Sequence, residues 1–140
     1  MLPRWYGGFI ALEYARRWPQ TVSNLVLVAT SAGPVRAQAR TFGSDAELRE
    51  YFRGLWPLFF KRENKRRPLF DAVTFSAGAY NAAFTRELPA YDLREAVTAI
   101  DIPMLLVVGR EDAYLSHMEW LAAHAKRATL CVFEDVGQAR

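Results

Sequence analysis

The stretch RWYGGFIALEYARRWP, residues 4–19, predicts a turn that opens directly into a helix. The adjacent Gly7 and Gly8 allow a tight bend and a close approach of the helix to a sheet. Pro19 marks the end of the helix, because proline cannot continue one. The run Leu25–Ala29 that follows is apolar without alternation, which predicts a strand covered on both faces of a parallel sheet.

The composition of the chain indicates which broad class of protein it belongs to. Of the 140 residues, 51% are hydrophobic and 24% are charged, so one modest globular domain is expected. The net charge is +3, and the basic residues are dense in one run, residues 61–67. This run has no aromatic residues between its basic ones and no nucleic-acid-binding motif. We interpret it as a solvated helix end or loop and expect no nucleic-acid partner. The single cysteine, Cys131, excludes an internal disulfide and is expected to be a buried thiol.

Membrane and metal sites are not expected from the sequence. No stretch approaches the roughly 20 apolar residues of a membrane-spanning helix, and no apolar leader follows Met1. A soluble cytoplasmic protein without a membrane partner is therefore expected. His117 and His124 are seven residues apart, which differs from the i, i+4 spacing of a helical zinc pair. We expect no metal and no cofactor.

Residues 35–95 predict a helical, aromatic-rich insertion between two strands. Ser44–Glu47 forms a capping box that predicts a helix start, and Pro57 is expected to disturb or end that helix. A further helix is predicted over Ser76–Glu87, with its first residue as the N-cap and Pro89 closing it.

Two more apolar strands are predicted in the last third of the chain, at Met104–Val108 and Thr129–Phe133. A helix predicted over Ser116–Lys126 joins them. Alternating strands and helices imply parallel pairing with right-handed crossovers. The predicted fold class is therefore α/β, with about three parallel strands in sequential neighbour order, flanking helices and the helical insertion.

Three segments carry a resemblance to a known fold family: Tyr6–Gly8 with the helix after it, YDLR at residues 91–94, and PMLLVVGRED at residues 103–112. Together they resemble the α/β-hydrolases, most of all the proline iminopeptidase-like branch. The resemblance covers nearly the whole chain and implies the C-terminal half of such a hydrolase. The chain is accordingly interpreted as a single truncated domain over residues 1–140, with residues 35–95 as the cap-like region.

The catalytic triad that this resemblance implies carries two replacements. The family's nucleophile elbow reads G-x-S-x-G, and residues 3–7 stand there with Trp5 at the serine position. Asp112 stands at the acidic position, and Gln138 stands where the histidine is expected. Tryptophan offers only an indole N–H donor and glutamine cannot accept a proton at neutral pH, so the family's chemistry is predicted to be impaired. The amide of Tyr6 takes the place of an oxyanion-hole donor.

An alternative interpretation keeps hydrolysis through a rebuilt site. Its nucleophile would be Ser116 or Ser76, supported by Asp112 with His117 or His124. The chain would then be a small ester or aminoacyl-amide hydrolase, an esterase or aminopeptidase, with a small ester or peptide as its substrate. The sequence leaves open whether the chain is an enzyme.

Self-association is expected for the truncated hydrolase. A hydrolase without its first half would leave the edge of Leu25–Ala29 unpaired and apolar surface uncovered. Exposed strand edges and apolar patches favour association, so a homodimer or higher oligomer is expected. A third interpretation, a non-enzymatic interaction module or an engineered fragment that folds by dimerising, leads to the same expectation.

Overall fold

The computed structural model of the chain describes residues 4–34, 40–59 and 70–134. These residues form two compact units. The first, here called the sheet unit, comprises residues 4–33 and 92–134, and the second, the helical unit, comprises the described residues between them. The predictions for the basic run at 61–67 and for Gln138 concern residues outside the described segments.

Three parallel strands form the sheet in the order β1-β2-β3. They are β1 at Leu25–Val28, β2 at Met104–Gly109 and β3 at Ala128–Phe133. Leu106 in the central strand lies opposite Leu27 on one side and Leu130 on the other. The predicted sequential order and parallel pairing are confirmed, and each strand begins and ends within one residue of its prediction.

The helices are α1 at Arg4–Arg17, α2 at Asp45–Phe59, α3 at Ala77–Ala82, α4 at Leu88–Ala90, α5 at Arg94–Val97 and α6 at Leu115–His124. A 3₁₀ turn at Pro19–Thr21 follows α1, and a π-helical turn at Ala83–Glu87 joins α3 to α4. Because α1 begins at Arg4, Trp5 lies inside the helix rather than on a preceding turn.

One face of the sheet carries the core of the sheet unit. α1 packs against β1, and α6, which lies in the crossover between β2 and β3, packs against both of those strands. Full burial of a leucine or methionine side chain contributes roughly 1.5–3 kcal/mol. The buried side chains of this layer are Phe9, Leu12, Ala15, Leu27, Leu106, Val108, Met118 and Leu121. A second apolar row on α1, formed by Ile10, Tyr14 and Trp18, is exposed instead.

The opposite face of the sheet is open, which corrects the expectation of strands covered on both faces. Val26, Leu105 and Phe133 are 61%, 41% and 50% exposed, and the strand register places all three on this face. Cys131 lies on the same face and is half-buried, so the prediction of a buried thiol is wrong. The physical reason is that, within the described segments, both long helices of the unit pack on the other side. An apolar run shows that a strand has two apolar faces, but it does not show that both are covered.

The close approach of α1 to the sheet depends on one glycine. A Cβ placed on Gly8 would lie 2.5 Å from Cβ and 2.7 Å from Cγ2 of Thr30, which follows β1 and is fully buried. Only a residue without a side chain fits at that distance. By contrast, a Cβ on Gly7 would meet nothing within 4 Å.

The helical unit packs around an aromatic core. Its buried members are Phe42, Leu48, Phe52, Phe70 and Ala77. The predicted capping box starts α2, since the Glu47 amide donates to Ser44 Oγ at 3.2 Å, although the Glu47 carboxylate accepts from the Gly43 amide at 2.9 Å rather than from Ser44. Ser76 is the N-cap of α3, as predicted, and accepts from the Ala79 amide.

Pro57 and Pro89 of this unit lie within helices, near their last described residues, rather than directly after them. α2 runs through Pro57 to Phe59, and helical structure continues through Pro89 to Ala90. The fixed φ of proline is itself helical, and within a helix proline removes one backbone hydrogen bond rather than forbidding the conformation. Pro89 lies in the first turn of α4, where the missing N–H costs little.

The contact between α1 and β1 predicts opposite effects of alanine at two neighbouring glycines. Gly8→Ala should lower the free energy of unfolding by about 1–3 kcal/mol, because the new Cβ overlaps the Thr30 side chain. Gly7→Ala should raise it by about 0.5–1 kcal/mol, because an open helical position gains from alanine. Urea denaturation of both variants tests this, and equal effects of the two substitutions would contradict the packing described.

We propose that a second copy of this chain pairs with the outer edge of β1. Among the described residues no strand pairs with the outer edge of β1, so two β1 edges can meet across a two-fold axis. The exposed Val26 and Leu105 then lie beside the junction in both copies.

Light scattering should give twice the chain mass, and the double variant Val26→Lys with Leu105→Lys should shift the measured mass towards that of the monomer. Ala123→Lys, on the exposed side of α6, is the matched control, and a monomeric parent at the highest concentration would refute the proposal.

Candidate active site

The loops that follow β1 and β2 lie at the same edge of the sheet, because the carboxyl ends of parallel strands coincide. The first turns of α1 reach this edge too, through the contact of Gly8 with Thr30. Open α/β sheets bind ligands outside the carboxyl ends of their strands. The chemistry of this sheet is therefore to be sought among the residues of this edge.

The loop after β1 holds a buried serine. Ala29 adopts a positive φ of 46°, which turns the chain sharply at the end of the strand. Ser31 is only 1% exposed, and its Oγ accepts from the Gly33 amide at 2.9 Å and lies 3.3 Å from the Gly33 carbonyl oxygen. The Ala32 carbonyl accepts from the Leu93 amide at 2.7 Å, so the loop is held from both sides.

The segment that resembles the family's YDLR motif supports this loop. The Arg94 guanidinium forms an ion pair with Asp92, which lowers the pKa of that carboxyl to about 2. The Arg94 side chain passes close to Gly33, where a Cβ would lie 3.3 Å from its Cδ. The motif thus supports the loop that carries Ser31 through the Arg94 side chain.

A histidine from α6 meets this serine. Nδ1 of His117 lies 3.0 Å from Oγ of Ser31, across 86 residues of sequence. His117 is in the first turn of α6 and is exposed, whereas its partner is buried. We call these two residues the Ser31–His117 pair. Sequence reasoning identified His117 but not Ser31, although a polar residue directly after an apolar parallel strand is a signal for this edge of the sheet.

Asp112 stands in the tight turn after β2. Its Oδ1 accepts from the Tyr114 amide at 2.8 Å, and its own amide donates to the Gly109 carbonyl at 3.1 Å. Burial, with a smaller effect of the Asp112 charge, raises the pKa of Tyr114 to about 12, so that phenol stays protonated at neutral pH. The ring of Tyr114 lies 5.5 Å from that of His117, between their centroids. The carboxylate therefore closes its own turn beside the Ser31–His117 pair.

The other predicted site residues stand in their own local surroundings. Ser116 is exposed on α6, and the hydroxyl bonded to its neighbour His117 is that of Ser31. Ser76 belongs to the helical unit, where its hydroxyl caps α3. His124 lies two turns further along α6, stacked on Trp120 with its Nδ1 2.7 Å from the Trp120 carbonyl. Tyr6 lies in the first turn of α1 with its ring against Phe9, and its oxyanion role stays a prediction.

A groove of about 750 Å³ opens at the opposite, amino edge of the sheet. Arg16, which lines it, is paired with Glu13, and Arg127 lies 4.0 Å from Asp101. Within the described segments no three His, Cys, Asp or Glu side chains form a group that could hold a metal ion. No helix in those segments is long and apolar enough to cross a membrane.

Comparison with known proteins defines the fold. No protein-family model and no curated protein matches the chain, but solved structures do. An alpha/beta fold family hydrolase from Bacillus anthracis str. Sterne has a TM-score of 0.75 at 17% identity, over 94% of this chain and 58% of that one. A thermophilic esterase from Thermogutta terrifontis has a TM-score of 0.72 at 23% identity, over 96% and 55%. The enol-lactonase from Burkholderia xenovorans LB400 has a TM-score of 0.69 at 21% identity, over 92% and 54%.

These likenesses establish the architecture. The chain has a partial α/β-hydrolase fold, with three parallel strands and flanking helices. It spans little more than half the length of the structures it matches. At these identities the likeness describes the fold, and the chemistry has to be argued from the site.

Proposed function

We propose that this chain is an α/β-hydrolase-fold protein that lacks the covalent serine chemistry typical of the fold. The observation that supports this most is the partner of the histidine at the carboxyl edge: His117 is bonded through Nδ1 to the buried Ser31. In a serine hydrolase the carboxylate holds that nitrogen and the nucleophile meets the other one.

The sequence supports the same proposal at the elbow position. Trp5, in the first turn of α1, stands where the resemblance places the nucleophile. An indole ring has no atom that attacks a carbonyl carbon. Covalent catalysis needs a nucleophile that a substrate can reach and that lies within hydrogen-bond reach of an oriented base. Ser31 meets a histidine but is only 1% exposed, and Ser116 and Ser76 stand in other surroundings.

For the ligand class we propose carboxylic esters, or aminoacyl amides in line with the proline iminopeptidase-like resemblance. The esterase and the enol-lactonase among the structural neighbours support ester-type ligands by analogy of fold. The interpretation as a truncated member and the cytoplasmic location stay predictions.

Treatment with a fluorophosphonate probe tests the proposal, because the probe forms a covalent adduct with activated serines. We expect intact-mass analysis of the folded chain to show no adduct, while a serine esterase treated in parallel is fully labelled. A stoichiometric adduct mapped to any serine of the chain would refute the proposal and identify the nucleophile.

A further inference from the structure

We propose that the Ser31–His117 pair is a general-base centre that hydrolyses activated carboxylic esters without a covalent intermediate. In this proposal Ser31 is a positioning residue, and His117 is the catalytic residue. The inference rests on the ester ligands of the proposed function and adds a mechanism that needs no serine nucleophile.

Burial determines which of the two residues can meet a substrate. Ser31 is 1% exposed, so its Oγ is not presented to a ligand in solution. His117 is exposed, and the nitrogen bonded to Ser31 is Nδ1. The opposite ring nitrogen, Nε2, points away from that bond because the two nitrogens lie on opposite sides of the imidazole ring. The group that a substrate meets is therefore the imidazole rather than the hydroxyl.

The hydrogen bonds of Ser31 are compatible with the tautomer of His117 that carries its proton on Nδ1, and this is the tautomer that the proposal requires. A serine hydroxyl has one proton to donate and two lone pairs that accept. The Gly33 amide donates to Oγ at 2.9 Å, and the Gly33 carbonyl lies within reach of the hydroxyl proton at 3.3 Å. With that proton on the Gly33 carbonyl, Oγ accepts from Nδ1–H of His117, and Nε2 keeps a free lone pair. The neutral ring then has its basic nitrogen on the exposed side.

The reaction that this arrangement supports is attack by water. Nε2 removes a proton from a water molecule as the water oxygen bonds to the ester carbonyl carbon. The resulting tetrahedral intermediate collapses with cleavage of the bond to the leaving oxygen. The imidazolium returns the proton to that oxygen, so the products are a carboxylic acid and an alcohol. Atoms and charges balance without another reactant.

The strength of general-base catalysis sets the substrate class. Such a base contributes typically about 10²–10⁴-fold, which is too little for ordinary alkyl esters or amides. Esters that are activated in the acyl part and have a poor leaving group, such as alkyl haloacetates, are the substrates that this centre can turn over through water, because an imidazole attacks aryl esters directly and becomes acylated. The substrate class follows from the chemistry of the pair itself.

His124 provides a matched control within the same helix. It is also exposed, and its Nδ1 is bonded to a backbone carbonyl, so its Nε2 is likewise basic in the neutral ring. It differs in lying two turns away from the carboxyl edge and stacking on Trp120. If any exposed imidazole were sufficient, the two histidines would contribute equally.

The test is the rate at which the full chain and three variants hydrolyse ethyl dichloroacetate, followed by the release of acid. His117→Gln should lower the protein-dependent kcat/KM at least about tenfold, in keeping with loss of a general base. His124→Gln should leave it within about twofold. Ser31→Ala should lower kcat several-fold and leave KM unchanged, because it frees the ring without altering the surface that meets the ester. Hydrolysis should also be slower in D₂O, and the time course should show no burst.

Specific results of the same assay would contradict the proposal. Equal losses of rate in His117→Gln and His124→Gln, or a full rate in His117→Gln, would overturn the proposal. Because His117 is exposed, its substitution leaves the core intact. An unchanged kcat in folded Ser31→Ala would remove Ser31 from the mechanism. A burst together with fluorophosphonate inhibition would instead refute the proposed function, so the two failures are distinguishable.

Discussion

The contact between Gly8 and Thr30 is the constraint on which the carboxyl edge of the sheet depends. It brings α1 against the end of β1 at a distance that no side chain on Gly8 would permit. Because Thr30 directly precedes Ser31, the same contact fixes the loop that holds the serine. Gly8, one of the two glycines in the stretch that predicts the fold, thus also shapes the candidate site.

The strands could be predicted from sequence because each is a short apolar run between breakers, and local pattern decides such elements. The prolines were less informative. Pro57 lies inside a helix because the apolar side of α2, with Leu48 and Phe52 in the aromatic core, stabilises helical structure beyond it. The uncovered sheet face was also unpredictable, since which side a helix packs on is a property of the crossover and not of the strand.

Some residues of the candidate site could be predicted from the sequence and others could not, because only some of them are close together along the chain. Asp112 and His117 follow a strand within one short segment, and reading along the sequence finds them. Ser31 is 86 residues from His117, and only the β1–β2 pairing brings their loops together. Ser116 is adjacent to the histidine in sequence, but in a helix adjacent residues point in different directions.

The structure separates the fold from the chemistry usually found on it. The chain has a three-stranded parallel sheet with flanking helices, Trp5 lies within α1, and the carboxylate of Asp112 closes its own turn. The same edge presents a different arrangement, in which a hydroxyl takes the orienting place of a carboxylate and the imidazole faces solvent. A sheet edge that concentrates loop residues can support such a change, because function depends on the residues placed there.

The measurement that tests this account most directly is a long-range ¹H–¹⁵N NMR correlation of the two histidine rings at a pH where both are neutral. The account predicts that His117 carries its proton on Nδ1, and that Ser31→Ala changes the proton distribution of His117 while leaving that of His124 unchanged. A proton on Nε2 of His117 in the parent chain, or no response of that ring to loss of the Ser31 hydroxyl, would contradict it.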